Sequence, residues 1–375
     1  MRCVRYVLLS ILLAACGGSQ AALQPRAGGS GGAGGDGGSG GATGTPVDAS
    51  SREVSFASAA ADGFLHVGTL QIPAHVEGER LPAVIFAHGS GPNDRDETLR
   101  GQLGMSFGVE IPVFAEHGQA LQDAGFVVLR FDKRSCGPFN GCADNGYAAI
   151  DPDAVTIDTF VEDVEGGLAF LATQPEVDAE RLFFVGHSKG ASYAPRLLTD
   201  HPQLRAGVML AAPFVTIDRA LVQQAEKLEE ILVATGASEA QIDAALADVR
   251  AIAADVTALH EGTFAGTRIG GLPVAYWNSW LRLGEEAPAL AAALDRPLLV
   301  LSGGYDWNVP QAETEAWAAH FGERSPHETR IVPCVTHALN CIDNPDWMKI
   351  RPGDIGAHVD PAVIEELLSF LAARR

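Results

Sequence analysis

Positive charge is in short supply: 26 Lys and Arg face 47 Asp and Glu among 375 residues, a formal charge of −21. A field of that sign repels phosphate backbones and anionic lipid surfaces, which argues against a nucleic-acid partner. Long hydrophobic runs are missing too. The most apolar stretch, Tyr6 to Ala15 behind Arg2 and Arg5, is about half the ~20 residues a spanning helix needs. With 47% hydrophobic and 19% charged residues, the chain is neither wholly disordered nor collagen-like and can bury a sizeable core.

What is there begins with an export signal. The short apolar run leads into Leu13-Ala14-Ala15-Cys16, which resembles a bacterial lipobox, so residues 1–15 read as a lipoprotein signal peptide and Cys16 as the lipidation site. Gly17 rather than Asp behind the Cys resembles the sorting pattern for the outer membrane. Residues 16–52 are rich in Gly, Ser and Ala, a composition that cannot offset its ordering entropy and reads as a lipidated tether. The expected location is the bacterial cell envelope, with membrane contact through the lipid anchor alone.

Residues 53–375 fit one large domain. Strand-length apolar runs recur at 83–87, 127–131, 182–185, 207–210, 298–301 and 329–332. Their continuous hydrophobicity suits parallel strands covered on both faces. An antiparallel pair at 53–57 and 64–71 precedes them, turning at Asp62-Gly63. Helix signals lie between: Phe160, Val164, Leu168 and Leu171 on one stripe, and a last helix opened by Asp360 and Pro361 with Ile364, Leu367, Leu368 and Leu371 inward. The alternation predicts an α/β sheet, mostly parallel, with helices on both faces. Residues 214–294 break the rhythm with two helical stripes, one on Leu221, Ala225, Leu228 and Leu232 and one from Ile242 to Leu259 behind the Ser238-x-x-Gln241 capping box. They predict a helical cap over the C-terminal edge of the sheet, where open α/β folds bind ligands.

Gly-x-Ser-x-Gly, a mark of a nucleophilic serine, occurs around Ser30, Ser39, Ser106 and Ser188. In a chain with 42 glycines a bare match says little. Only Gly186-His187-Ser188-Lys189-Gly190 follows an apolar strand and opens a helical segment, the context that makes a tight turn project its serine from a sheet edge. Serine at neutral pH needs a base, and the base needs an orienting acid. Asp306 and His337 each follow a predicted strand and come in the order Ser, Asp, His. The backbone amides of Lys189 and of Ser90, within His88-Gly89-Ser90-Gly91-Pro92, are the expected oxyanion donors. The Lys189 side chain is expected in solvent, and Asp94, Arg95 and Asp96 as a loop held by ion pairs.

With these motifs the chain resembles the α/β-hydrolase superfamily, and within it bacterial esterase-like hydrolases carrying a His-Gly-Ser-Gly-Pro-x-Asp-Arg-Asp stretch, here His88 to Asp96. The resemblance extends to Asp132-Lys133-Arg134 and to Tyr276-Trp277, which it implies as substrate-binding residues. It implies cleavage of small carboxylic esters without a cofactor or metal. Two departures stand out: relatives often have Glu in place of Lys189, and Ser135-Cys136 follows Arg134 instead of Gly. Fold alone does not fix the substrate, so a peptidase or amidase, an acyl thioesterase and a catalytically silent binding protein remain as alternatives. Of six cysteines, Cys3 lies in the signal and Cys16 carries lipid. Export makes disulfides the expectation for the other four, with short spacings favouring Cys136 to Cys142 and Cys334 to Cys341, the latter around His337.

Overall fold

The computed structural model describes residues 44–99, 109–138, 141, 142, 151, 153–322, 325–344, 346, 349 and 351–375. Cys16, the signal segment, most of the tether, and the Ser30, Ser39 and Ser106 motifs lie outside the described residues.

Eight strands form one sheet: β1 (Ser50–Ala57), β2 (Leu65–Ile72), β3 (Leu81–Ala87), β4 (Val127–Phe131), β5 (Val177–His187), β6 (Leu204–Leu210), β7 (Leu298–Gly303) and β8 (Glu328–Val332). Their spatial order is β1-β2-β4-β3-β5-β6-β7-β8. β1 and β2 pair antiparallel, as β2 does with β4, and every later pairing is parallel. The turn at Asp62-Gly63 is formed, with Gly63 at φ +74° and the Phe64 amide donating to Asp62 Oδ1 at 3.0 Å. Strand pairing starts upstream of residue 53, since β1 begins at Ser50 and Pro46–Val47 pairs with His75–Val76.

Continuous hydrophobicity in the central strands has a direct consequence. Successive side chains of a strand point to opposite faces, so Ala83, Ile85 and Ala87 of β3 join one core while Val84 and Phe86 join the other. β5 splits the same way, Leu182 and Phe184 against Phe183 and Val185, and β7 follows with Leu298 and Val300 against Leu299 and Leu301. Helices α1 (Val113–Asp123) and α8 (Pro361–Ala372) cover one face. Helices α2 (Ile157–Ala172), α3 (Ala194–Asp200) and part of α6 (Val274–Ala293) cover the other, with Trp317 of α7 (Gln311–Phe321). Each large side chain buried this way contributes roughly 1.5–3 kcal/mol.

α8 starts where expected, Asp360 accepting from the Ala362 amide at 2.9 Å. Its buried stripe is Val363, Leu367, Phe370 and Leu371, leaving Ile364 and Leu368 half-buried. The aromatic Phe370, which the 3.6-residue pattern left out, turns the inward face by part of a turn.

α4 (Ile217–Ala234) and α5 (Glu239–His260) form the cap hairpin, with the Ser238 amide donating to Gln241 Oε1 at 2.9 Å in the capping box. Ile231, and not Leu232, completes the buried α4 stripe. α6 joins cap to body, since its Trp277 and Leu281 pack in the cap cluster and its Leu283, Ala287 and Ala291 in the sheet core. At the cap's other root, Glu313 of α7 accepts from the Phe214 and Val215 amides at 2.8 and 2.9 Å. Both short-range disulfides are formed, with Cα–Cα separations of 5.7 Å for Cys136–Cys142 and 4.9 Å for Cys334–Cys341.

Candidate active site

Parallel strands deliver their C-terminal ends to one edge of the sheet, which brings residues 90, 188, 306 and 337 together from distant parts of the chain. β5 ends at His187 and a 3₁₀ turn, Ser188–Tyr193, starts at once. Ser188 sits at φ +52°, a left-handed conformation that costs a non-glycine residue about 1–3 kcal/mol. The flanking glycines are sterically required. A Cβ at 186 would lie 2.4 Å from the Gly190 carbonyl oxygen, and one at 190 would lie 2.3 Å from that of Ala87. Surrounding packing therefore holds the serine in a strained, outward-facing elbow.

The His337 imidazole and the Asp306 carboxylate meet, Nδ1 to Oδ2 at 2.7 Å, with both residues buried. The other Asp306 oxygen accepts from the Asn308 and Val309 amides, each at 2.9 Å, so the carboxylate is fixed from both sides. The His337 loop is closed by the Cys334–Cys341 disulfide and by the Thr336 amide donating to the Asn340 carbonyl at 2.9 Å. It docks against the elbow: His187 Nε2 lies 2.9 Å from the His337 carbonyl oxygen, and the two imidazole rings are 4.8 Å apart. Among the described residues the Ser188 hydroxyl has no hydrogen-bond partner, and such contacts often tighten only when substrate is bound.

The loop after β3 abuts the elbow, since a Cβ on Gly89 would stand 3.1 Å from Ser188 Cβ. Its conformation rests on two residues, Glu97, which sequence reasoning did not single out, and Lys133, which it named only within the Asp132-Lys133-Arg134 run. Glu97 is fully buried, accepts from the Gly89 amide at 2.6 Å and faces His187 Nδ1 at 3.3 Å. Burial opposes a charge on His187, but the Glu97 carboxylate, the His337 carbonyl and Asp306 together outweigh it and raise the imidazole above its ordinary value. Lys133, just past the end of β4, donates from Nζ to the Gly89 and Gly91 carbonyls at 2.5 and 2.7 Å. Ser90 thus lies between two anchored carbonyls, and its amide has no acceptor among the described residues. A lysine inside the charged run that ends a buried strand was the available signal; nothing in the local sequence marked Glu97.

Lys189 departs from expectation. Its side chain is only 3% exposed, with Nζ 4.3 Å from the Phe160 ring centre, 5.4 Å from Trp280 and 5.9 Å from Tyr276. The reason is tertiary: the elbow turns residue 189 inward, and rings from α2 and α6 surround its amine. Burial and the adjacent Lys133 ammonium push this amine well below the ordinary lysine range. Burial also lowers Lys133, to about 8, against the pull of Glu97.

Beside the elbow a cavity runs under the cap. Ser90, Ser188, Lys189, Ser192 and Gln224 supply its polar lining, and Trp280 with cap side chains such as Leu221 supplies much of the apolar wall. Of the aromatic pair singled out from sequence, Tyr276 covers Lys189, whereas Trp277 is buried in the cap cluster with its Nε1 donating to the Ile269 carbonyl at 3.0 Å. The Asp94 to Asp96 segment is a loop held by ion pairs: Arg95 forks onto Asp132 at 2.7 and 3.1 Å, and Arg130 pairs with Asp96. Behind it Arg134, fully buried, bonds Asp163 through Nε at 2.7 Å and Asp62 at 2.6 Å, while His66 Nε2 lies 2.9 Å from Asp163. Burial would raise the Asp163 pKa, yet His66 and Arg134 bring it down to about 2.

Comparison with known proteins agrees with this architecture. The chain is 25% identical to esterase EstD of Thermotoga maritima over 297 residues, 78% of this chain and 62% of that protein. It therefore spans less than two thirds of that relative's length. Among solved structures, the α/β hydrolase GrgF from Penicillium sp. sh18 superposes with a TM-score of 0.52 at 15% identity, covering 87% of this chain and 99% of that one. A hypothetical protein from Pseudomonas aeruginosa does so with a TM-score of 0.50 at 18% identity, covering 88% and 95%. At such identities the structural likeness speaks for the fold. The family profile of serine aminopeptidase S33 matches residues 107–341, more than half the sequence. The chain belongs to that family of the α/β-hydrolase superfamily.

Proposed function

We propose that this hydrolase cleaves small carboxylic esters through an acyl-enzyme. Ser188 Oγ attacks the ester carbonyl while His337 Nε2 accepts its proton, and Asp306, paired to Nδ1, holds the imidazole in that tautomer and stabilises the imidazolium. The amides of Ser90 and Lys189 donate to the oxyanion. Collapse expels the alcohol, which takes the proton back from His337. Water, activated by the same imidazole, then releases the acid and restores Ser188.

One observation carries the choice of ester: the strained Ser188 opens onto a mostly apolar cavity in which none of the described lining residues is acidic. An aminopeptidase, the activity in the family's name, must hold a substrate ammonium, and a cavity with no carboxylate among its described lining residues offers that cation no partner. The name of the EstD relative points the same way. A fluorophosphonate should label Ser188 and leave Ser188→Ala unlabelled, which separates an enzyme from a silent binding protein. Short-chain 4-nitrophenyl esters should then turn over faster than aminoacyl or peptidyl 4-nitroanilides, and the reverse ranking would overturn the ester reading. The lipobox-like Leu13-Ala14-Ala15-Cys16 supports a reaction in the cell envelope, held by lipid on Cys16; metabolic labelling with an alkyne fatty acid should mark the chain and fail for Cys16→Ser.

A further inference from the structure

Lys189 carries a cation's chemistry with no anion to meet it. Its amine lies among Phe160, Tyr276 and Trp280, its nearest polar groups are the Tyr276 hydroxyl at 3.5 Å and the Lys133 amine, and it has no carboxylate partner among the described residues. Lys133 is already committed to the Gly89 and Gly91 carbonyls, and Glu97 to the Gly89 amide and His187. A buried lysine that only needed neutralising could have been a methionine. Instead it lines the reaction cavity together with the hydroxyl-bearing Ser192.

We infer that Lys189 is the subsite for a free carboxylate on the acyl part of the substrate, so that the preferred substrates are half-esters of short dicarboxylic acids. This rests on the ester reading above. The geometry sets the length. A lysine amine stands roughly 6 Å from its own Cα, and the amide at that Cα faces the reacting carbonyl, so an acyl chain of four or five carbons ending in a carboxylate spans the same reach. The arriving anion gives the amine a reason to hold a proton that burial and the Lys133 ammonium otherwise disfavour. The aromatic faces then stabilise the resulting ammonium from the sides.

The test compares 4-nitrophenyl hemiglutarate with 4-nitrophenyl valerate, the uncharged ester of the same acyl carbon count, by kcat/KM on the full chain. Wild type should favour the hemiglutarate by about tenfold or more, and Lys189→Met should lower that ratio by at least about tenfold. Lys189→Gln serves as a second variant should the first fold poorly, with fluorophosphonate labelling of Ser188 reporting an intact elbow. Glutarate should also slow that labelling in wild type and not in either variant. Turnover of valerate with no preference for hemiglutarate, or a ratio unmoved by both substitutions, overturns the carboxylate subsite and leaves the ester reading standing. Turnover of neither ester by a labelled enzyme overturns both.

Discussion

Replacing Lys133 by methionine should disable the oxyanion loop while keeping the shape of the side chain. Lys133 grips the Gly89 and Gly91 carbonyls on either side of Ser90, at 2.5 and 2.7 Å, and so fixes the amide proposed as an oxyanion donor. Hydrogen bonds from a charged donor are worth about 1.5–3 kcal/mol each, enough to fix one loop conformation. Losing one oxyanion donor costs about 10² to 10³ in kcat. Because Lys133 acts through the position of that donor, the lower figure is expected: about 10² in kcat, roughly 2.7 kcal/mol, with KM changed little. Its charge state gives a second readout. Burial brings the ammonium down to about 8, with Glu97 and Asp163 favouring the charge and Lys189 nearby. The charged form, which donates to both carbonyls, is the one present below that value. The kcat profile for a neutral 4-nitrophenyl ester should therefore fall as pH rises through about 8, and Lys133→Met should lack that limb. A folded variant with kcat within about threefold of wild type and an unchanged alkaline limb would refute the assignment.

Three further outcomes follow from the same contacts. Ser188→Gly should abolish activity yet raise the urea midpoint, because relieving a left-handed serine returns about 1 kcal/mol, whereas Ser188→Ala should lose activity without that gain. Asp163 is held near 2 by His66 and Arg134 against an ordinary value of 3.8, so its stabilisation is fully present above the unfolded value and is lost as pH falls through about 2. The shift corresponds to about 2 kcal/mol, and Asp163→Asn should destabilise at neutral pH and flatten the acid limb of urea midpoint against pH. Opening the Cys334–Cys341 disulfide as Cys334→Ser with Cys341→Ser should reduce kcat for a neutral ester and remove about 2 kcal/mol of stability, since the bridge closes the loop carrying His337. An unaltered kcat and thermal midpoint would show that the loop holds the imidazole without it.

Much of this protein is written locally. Strand runs, the Asp62-Gly63 turn, the Ser238 capping box and the Asp360 cap depend on contacts within a few residues, so periodicity and turn chemistry determine them. The elbow around Ser188 is legible for the same reason, because two glycines four residues apart must let backbone approach backbone. The parallel order of the strands then delivers Asp306 and His337 to its edge, which chain order alone could anticipate.

What tertiary structure decided are the partners that meet across the sheet. Glu97 binds the loop from its far side and Lys133 from the end of β4, and no local pattern pairs an acid with an amide eight residues back or a lysine with carbonyls more than forty residues away. Lys189 shows the limit most plainly: a cation is ordinarily assigned to solvent, and only three aromatic rings from two separate helices make its burial possible. The same holds for Trp277 and Trp280, three apart on one helix, of which the packing of α4, α5 and the Ile269 segment sends the first into the cap and leaves the second on the cavity wall. A sequence fixes which residues can be buried; the neighbours they are buried against are set by the packing of elements far apart along the chain.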